Sequence, residues 1–178
     1  RTGIAVRRPF RMLSNLFCIF KSGEKTCKPF MLKLESSAVC NLKCKMCPLN
    51  NGLSRNKGVL SFENFKKVFD DVKPAYLNLT GIGEPLFNKD IFKIIDYARK
   101  KGNVVKLDTN ATLLNQDNIK KLINADPNFV SVSIDGITKK SYESIRIGAN
   151  FEQVVENLKN LVSYRNKVRS KTKIHLFF

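Results

Sequence analysis

From residue 31 onward, short apolar stretches alternate with longer segments of helical periodicity, and this alternation is what most constrains the fold. Five stretches have the length and apolar content of strands, at 31–35, 75–80, 104–109, 129–134 and 173–178. Strands that alternate with helices form parallel βα units joined by right-handed crossovers. The sequence therefore predicts an α/β protein built on a parallel sheet.

The segments between these strands carry the start and stop signals of helices. Ser61 is placed to cap a helix in which the apolar residues recur at helical spacing, namely Phe62, Phe65, Val68 and Phe69. Further helices are predicted over 88–101, over 115–126 and from Asn150 onward. Residues 49–60 carry glycines and polar side chains, so a loop is predicted there.

Residues suited to chemistry follow four of the five predicted strands. Three cysteines follow the first strand, Gly81-Ile82-Gly83-Glu84-Pro85 the second, Thr109-Asn110 the third, and Ser133-Ile134-Asp135 closes the fourth. In βα barrels the chemistry gathers at the carboxyl ends of the strands. Each motif alone also suits an ordinary turn or helix cap, but their joint placement favours one shared site.

The three cysteines, Cys40, Cys44 and Cys47, have C-x3-C-x2-C spacing within one short loop. Three convergent thiolates can hold a soft metal centre but are one ligand short of a closed tetrahedral zinc site. The only histidine, His175, lies in the last predicted strand. An iron–sulfur cube fits better, because three irons take the thiolates and the fourth iron stays open.

The other strand-end residues offer contacts to a small polar ligand. Gly81 and Gly83 let backbone groups approach a ligand closely, and Glu84 supplies an acceptor for an ammonium group. Ser133 and Asp135 suit a ribose diol. Two further residues remain open: Arg146 suits either a bidentate carboxylate contact or a solvated helix, and Asn110 also suits a plain turn.

Together these residues resemble the motifs of the radical S-adenosylmethionine (SAM) superfamily. Gly81-Ile82-Gly83-Glu84-Pro85 resembles its Gly-Gly-Glu-Pro motif, with Ile82 where the first glycine of that pair stands. Thr109-Asn110-Ala111 is similar to its Thr-Asn-Gly turn, and Ser133-Ile134-Asp135-Gly136 looks like its ribose motif. Met46 stands where the family often has an aromatic residue, which leaves an adenine contact there open.

A further stretch resembles SPASM-type members, which carry a C-terminal extension for auxiliary clusters. It contains Tyr142, Ile145-Arg146, Gly148 and Phe151-Glu152. In those members the arginine meets the SAM carboxylate. This stretch tilts the expected substrate toward a peptide or protein.

The resemblance implies a fold, a cofactor set and a reaction. The fold would be a (βα)6 three-quarter TIM-type barrel that is truncated at about strand five, with residues 1–30 as an N-terminal arm and 31–178 as the core. A [4Fe–4S] cluster on the three cysteines would deliver one electron, from flavodoxin or ferredoxin, to SAM, and the resulting 5′-deoxyadenosyl radical would abstract hydrogen from a substrate. The expected SAM contacts are Gly81, Gly83, Glu84, Asn110, Ser133, Asp135 and Arg146.

Composition sets the remaining expectations. Lys+Arg 32 against Asp+Glu 15 gives a formal charge of +17, scattered along the chain, which suits nucleic acid, anionic lipid or an acidic protein partner, and equally suits ordinary solvated helix faces. The odd count of five cysteines argues against a disulfide framework and for a reducing, cytoplasmic location. Cys18 and Cys27 are interpreted as ordinary thiols, and no apolar run is long enough for a transmembrane helix.

Two other functional classes stay open at this point. One is a zinc-stabilised nucleic-acid-binding module, which the basic charge and the cysteines suggest but which lacks a fourth ligand. The other is a non-catalytic scaffold protein of the same fold, in which the cluster loop persists and SAM binding is lost. Bound iron and sulfide would exclude the first class, and a response of the cluster to SAM would exclude the second.

Overall fold

The computed structural model describes residues 29–178, and these contain one five-stranded parallel sheet. Its strands pair in sequence order, β1-β2-β3-β4-β5. Their bounds are β1 Met31–Leu34, β2 Tyr76–Leu79, β3 Val104–Thr109, β4 Phe129–Ser133 and β5 Lys173–Phe177. The predicted α/β class and parallel pairing are confirmed. The N-terminal arm predicted over residues 1–30, together with Cys18 and Cys27, lies almost wholly outside the described residues.

Five α-helices connect the strands in the described part of the chain. They are α1 Phe62–Val72, α2 Ile91–Lys100, α3 Gln116–Asn124, α4 Lys139–Ile145 and α5 Phe151–Lys167, with short 3-10 turns at Pro48–Asn50 and Pro85–Phe87. The predicted caps are present, since the side chains of Ser61, Asn115 and Asn150 each accept a hydrogen bond from a backbone N–H three residues on. None of these helices is long and apolar enough to cross a membrane.

All five α-helices contribute buried side chains to a core on one face of the sheet, and α4 contributes one, Tyr142. Strand residues such as Leu77, Leu107 and Val132 are fully buried against Phe65 of α1 and Leu161 of α5. The opposite face carries polar residues at alternating positions. In-order parallel pairing with helices on a single face is the arrangement of a (βα) barrel, and the chain forms part of one.

Two details of the helices differ from the sequence prediction. Val68 was grouped with the inward residues of α1, but it is 45% exposed while Phe65 and Phe69 are buried, because it lies at the edge of their apolar stripe. Helix α4 was not predicted. It is seven residues long with one buried side chain, Tyr142, so it shows no apolar period.

The end of β1 is tied to the loop that follows β2 by the carboxylate of Glu35. Its Oε1 accepts hydrogen bonds from the backbone N–H of Ile82 at 2.7 Å and of Gly83 at 3.2 Å. Its Oε2 forms an ion pair with Arg55, which lies in the loop before α1. Burial opposes ionisation, but the hydrogen bonds from Arg55 and these backbone groups hold the pKa of Glu35 below its ordinary value.

The glycines of this loop are required by the chain's own packing. A Cβ on Gly83 would lie 2.1 Å from the carbonyl oxygen of Ser37 and 2.9 Å from that of Val39. A Cβ on Gly81 would meet the side chain of Glu35. Residues 35–39, which lead into the cysteines, can therefore lie directly against the loop after β2 only because both positions lack side chains.

We predict that Gly83→Ala destabilises the protein by about 1–3 kcal/mol, because the added methyl group meets backbone atoms that cannot rotate away. Urea unfolding of the apoprotein, followed by circular dichroism, measures the change. Gly58→Ala is the matched control, since a Cβ there has no neighbour within 4 Å, and we expect it to change stability by less than about 0.5 kcal/mol. Equal unfolding midpoints for the two variants would contradict the packing argument.

We also predict that the stability difference between wild type and Glu35→Gln depends on pH. A carboxylate with a lowered folded-state pKa stabilises the protein above its unfolded-state pKa of about 4.3. That contribution is lost as the pH falls through the folded-state value. Unfolding free energies measured from pH 7 to pH 3 should show a constant difference above about pH 5 that shrinks at lower pH. A difference that stays constant to pH 3 would refute the ion pair's contribution.

Candidate active site

The carboxyl ends of the strands surround one cavity of about 420 Å³. It receives residues from the cysteine loop, from the loops after β2 and β3, from β4 and β5, and from the segment after α4. The sequence-predicted site residues among its lining are Cys40, Cys44, Cys47, Gly81, Gly83, Glu84, Asn110, Ser133 and Arg146. The structure thus brings together every predicted site residue except Asp135, which contacts Arg146 instead.

The cysteine loop is held in place by backbone pairing with the segment after α4. Lys43 donates its N–H to the carbonyl of Ile147, and Lys45 donates to that of Ile145, each at 2.9 Å. Leu42, between the first two cysteines, is buried. These contacts fix the loop against the residues that flank Arg146, so the cysteines and the arginine share one rigid support.

The thiols have the surroundings of ligands rather than of exposed reactive groups. Cys40 Sγ accepts from the backbone N–H of Leu42 at 3.5 Å and from the Asn110 side-chain amide at 3.8 Å. Burial raises the pKa of the Cys40 and Cys44 thiols above the ordinary value. A metal centre binds the deprotonated thiolate, so metal binding would offset this rise in pKa, and hydrogen bonds to the sulfur atoms are among the features that tune cluster sites.

The donor set fits a cluster better than a single ion. Cys40, Cys44 and Cys47 are all free thiols lining the same cavity. Three thiolates are one ligand short of the closed tetrahedral site that a structural zinc ion requires. A [4Fe–4S] cube places each thiolate on a different iron, so its ligands surround a larger volume. His175 packs on the ring of Phe129 in the sheet, with ring centroids 5.4 Å apart.

Glu84 ties together the ends of β2 and β3. It is 2% exposed, and Oε1 accepts from the Thr109 hydroxyl at 2.6 Å and from the Leu86 N–H at 3.2 Å, while Oε2 accepts from the Asn110 N–H at 2.8 Å. Burial raises the pKa of this carboxyl despite these hydrogen bonds. Both oxygens are thus engaged by the chain's own donors. The predicted contact of Glu84 with an ammonium group stays a prediction.

Asn110 links the β3 loop to the cysteine loop. Its amide nitrogen donates to Asn41 Oδ1 at 3.2 Å as well as to Cys40 Sγ, and its Oδ1 accepts from the Thr112 backbone at 2.9 Å. The next residue, Ala111, has a φ of +61°, a left-handed conformation that glycine adopts without strain, and glycine is the residue at this position of the Thr-Asn-Gly turn that the sequence resembles. Asn110 is therefore both the turn former and a neighbour of the first cysteine.

Arg146 and Asp135 form an ion pair at the end of β4. The Arg146 Nε lies 2.6 Å from Asp135 Oδ2, with side chains 10% and 22% exposed. Arg146 and Ser133 line the cavity. The separate roles predicted for the two charged residues, a carboxylate contact for Arg146 and a ribose contact for Asp135, stay predictions.

Several residues of the site were not found by the sequence reasoning. Glu35 and Arg55 secure the loop after β2, as described above. Lys106, Asp108 and Ser131 lie on the polar face of the sheet and line the cavity, with the Lys106 amine 2.8 Å from Asp108 Oδ1. Their signal was the alternation of polar and apolar residues in β3 and β4, which marks a wetted face. Met46 is half exposed at the cavity rim.

The solved structures that resemble this chain share its fold. Streptococcus suis SuiB bound to the precursor peptide SuiA matches with a TM-score of 0.68 at 22% identity, over 93% of this chain and 37% of that one. A structure of anSMEcpe with bound AdoMet matches with a TM-score of 0.64 at 22% identity, over 83% and 43% of the two chains. At this identity the likeness establishes the fold alone.

Curated relatives match by sequence over the same region. The mycofactocin maturase MftC of Mycobacterium ulcerans is 30% identical over 76% of this chain and 37% of its own length. The AdoMet-dependent heme synthase of Methanosarcina barkeri is 36% identical over 66% of this chain and 34% of its own length. The chain therefore spans about a third of these relatives.

A family match covers most of the chain. Residues 34–178 match the sequence profile of the radical SAM superfamily, a range that begins at the end of β1 and includes every predicted site residue. The profile match, the barrel-type fold and the three free thiols at the strand ends agree. The chain belongs to the radical SAM superfamily, whose members use a [4Fe–4S] cluster together with SAM.

Proposed function

We propose that this chain forms the cluster- and SAM-binding part of an enzyme that cleaves SAM reductively and abstracts hydrogen from a peptide or protein substrate. One observation carries the proposal. A single cavity is lined by three free cysteine thiols, by the Gly81–Gly83 loop, by the buried side chain of Arg146 and by Ser133 at the end of β4. Such a combination suits a cluster with an open iron beside a ligand that has amine, carboxylate and ribose groups.

When bound, the cluster and SAM would supply the one-electron reductive cleavage chemistry on which hydrogen abstraction depends. The chain's own residues hold and orient these groups. Cys40, Cys44 and Cys47 would take three irons, and the Asn110 amide would donate to the first sulfur, as it does in the structure. Because the loop is paired to the segment after α4, the thiolates would keep their spacing on binding.

The remaining contacts to SAM follow from the charges and donors at the cavity wall. Arg146 would bind the SAM carboxylate, and its ion pair with Asp135 would keep the guanidinium fixed. Ser133 and Asp135 would accept from the ribose hydroxyls. Gly81 and Gly83 would contribute backbone acceptors to the amine, with Glu84 holding the loop from behind.

A peptide or protein substrate is supported by the names of three of the similar proteins, although the heme synthase is not among them. SuiB was solved bound to the precursor peptide SuiA, anSMEcpe was solved with bound AdoMet and a peptide, and MftC is named a maturase. The polar floor formed by Lys106, Asp108 and Ser131 offers donors and acceptors suited to a peptide backbone.

The proposed electron donor is a flavodoxin or ferredoxin, and the proposed location is the cytoplasm. These carriers are acidic, and a chain with a formal charge of +17 would attract them over long range. Free thiols in an odd number of cysteines suit a reducing compartment.

We predict that anaerobically reconstituted protein, reduced with dithionite in the presence of SAM, releases 5′-deoxyadenosine, and that the triple alanine variant of Cys40, Cys44 and Cys47 does not. Chromatography of the nucleoside and assays of iron, sulfide and zinc measure the outcome. The longest available form of the gene product should be used.

Cys18→Ala and Cys27→Ala are the matched controls, because the sequence gives these thiols no cluster spacing. Both should retain iron and deoxyadenosine release. Zinc in place of iron would support the nucleic-acid-binding alternative. A fully loaded cluster that never cleaves SAM would support the scaffold alternative.

A further inference from the structure

We propose that Glu35 and Arg55 are positioning residues for SAM, acting through the backbone of the Gly81–Gly83 loop. The inference rests on the proposed function and deepens it. Neither residue lines the cavity, and neither belongs to the motifs that identified the site. Their role follows from how they orient the peptide units that do line it.

Hydrogen bonds to Glu35 set the direction of those peptide units. The N–H groups of Ile82 and Gly83 both point at Glu35 Oε1. In a planar trans peptide the carbonyl points opposite to the N–H. The carbonyl oxygens of Gly81 and Ile82 must therefore point away from Glu35. Because these residues line the cavity and Glu35 does not, their carbonyls are the acceptors offered to a ligand there.

The acceptors near the cavity wall for an ammonium group are the Glu84 carboxylate and the loop carbonyls. The Glu84 carboxylate already accepts three hydrogen bonds from Leu86, Thr109 and Asn110. The two carbonyls fixed by Glu35 therefore remain as neutral acceptors beside it. The binding of a SAM amine beside Glu84 would depend on the direction of the Gly81 and Ile82 carbonyl groups. Glu35 sets that direction.

Arg55 supplies the positive charge that a partly buried Glu35 carboxylate needs. Glu35 and Arg55 are only 24% and 28% exposed, so a lone carboxylate there would be poorly solvated. The Arg55 guanidinium contacts both carboxylate oxygens, which keeps Oε1 charged and aimed at the two N–H groups. Glu35 precedes the three cysteines and Arg55 follows them, so their ion pair closes the segment that carries the cluster ligands.

The test compares Glu35→Ala, Glu35→Gln and Arg55→Met with wild type in three readouts: iron and sulfide content, SAM affinity from the electron paramagnetic resonance of the reduced cluster, and the KM and kcat of deoxyadenosine release. Asp126→Asn is the matched control. It removes the charge from another arginine–carboxylate pair, Arg99–Asp126 at 2.8 Å, which lies before β4 at the opposite end of the strands.

We expect Glu35→Ala to raise the Kd and KM for SAM about tenfold, and Glu35→Gln and Arg55→Met about threefold, because the last two keep an acceptor for the N–H groups. Iron content should stay at the wild-type level, and kcat at saturating SAM should change less than about twofold. Asp126→Asn should match wild type in all three readouts.

Full iron loading with unchanged SAM affinity in Glu35→Ala would overturn the positioning role of Glu35 and leave the proposed function intact. Failure of Glu35→Ala, Glu35→Gln and Arg55→Met all to load iron would also overturn it, because the pair would then support the cluster loop rather than orient SAM. Wild-type protein that loads a cluster but does not bind or cleave SAM would instead refute the proposed function.

Discussion

Parallel pairing of the strands in sequence order places their carboxyl ends along one edge of the sheet, and every other feature of the site depends on it. The register sets Leu34 beside Leu79 and Leu79 beside Leu107, so the loops after β1 and β2 begin at one level and β3 extends two residues further, to Thr109. Since the buried strand face packs on helices, the opposite face is free to carry polar residues. The cavity forms where the polar face of the sheet reaches the carboxyl ends of the strands.

Gly83 and Glu84 are needed for the folding of the site as well as for the proposed ligand contacts. Because Gly83 lacks a side chain, the backbone of residues 37–39 packs directly against it, and Glu84 joins the loops after β2 and β3, so both help to assemble the site before any ligand binds. The same glycine-flanked peptide units then face the cavity. Ile82 stands where the resembled family motif has a glycine, and its backbone N–H donates to Glu35 without involving the side chain.

Much of this architecture could be predicted from the sequence. Strand periodicity, helix caps at Ser61, Asn115 and Asn150, and cysteine spacing are local signals. They located the sheet, and the structure brings nearly all of the predicted site residues to one cavity. The short helix α4 lacked an apolar period and was missed. Long-range ties were also missed, since nothing local to Glu35 or Arg55 shows that they meet across twenty residues. The ion pair of Arg146 with Asp135 likewise depends on the folded path of the chain.

With three cysteines as its ligands, the proposed cluster would keep one iron open for the amine and carboxylate of SAM. Electron–nuclear double resonance on the reduced, reconstituted protein, with SAM labelled with nitrogen-15 at the amine, detects that contact. We predict a nitrogen-15 coupling to the cluster that unlabelled SAM lacks, and that disappears when SAM is omitted. A cluster that shows no such coupling at saturating SAM, or whose fourth iron carries a protein nitrogen or sulfur ligand, would contradict the account.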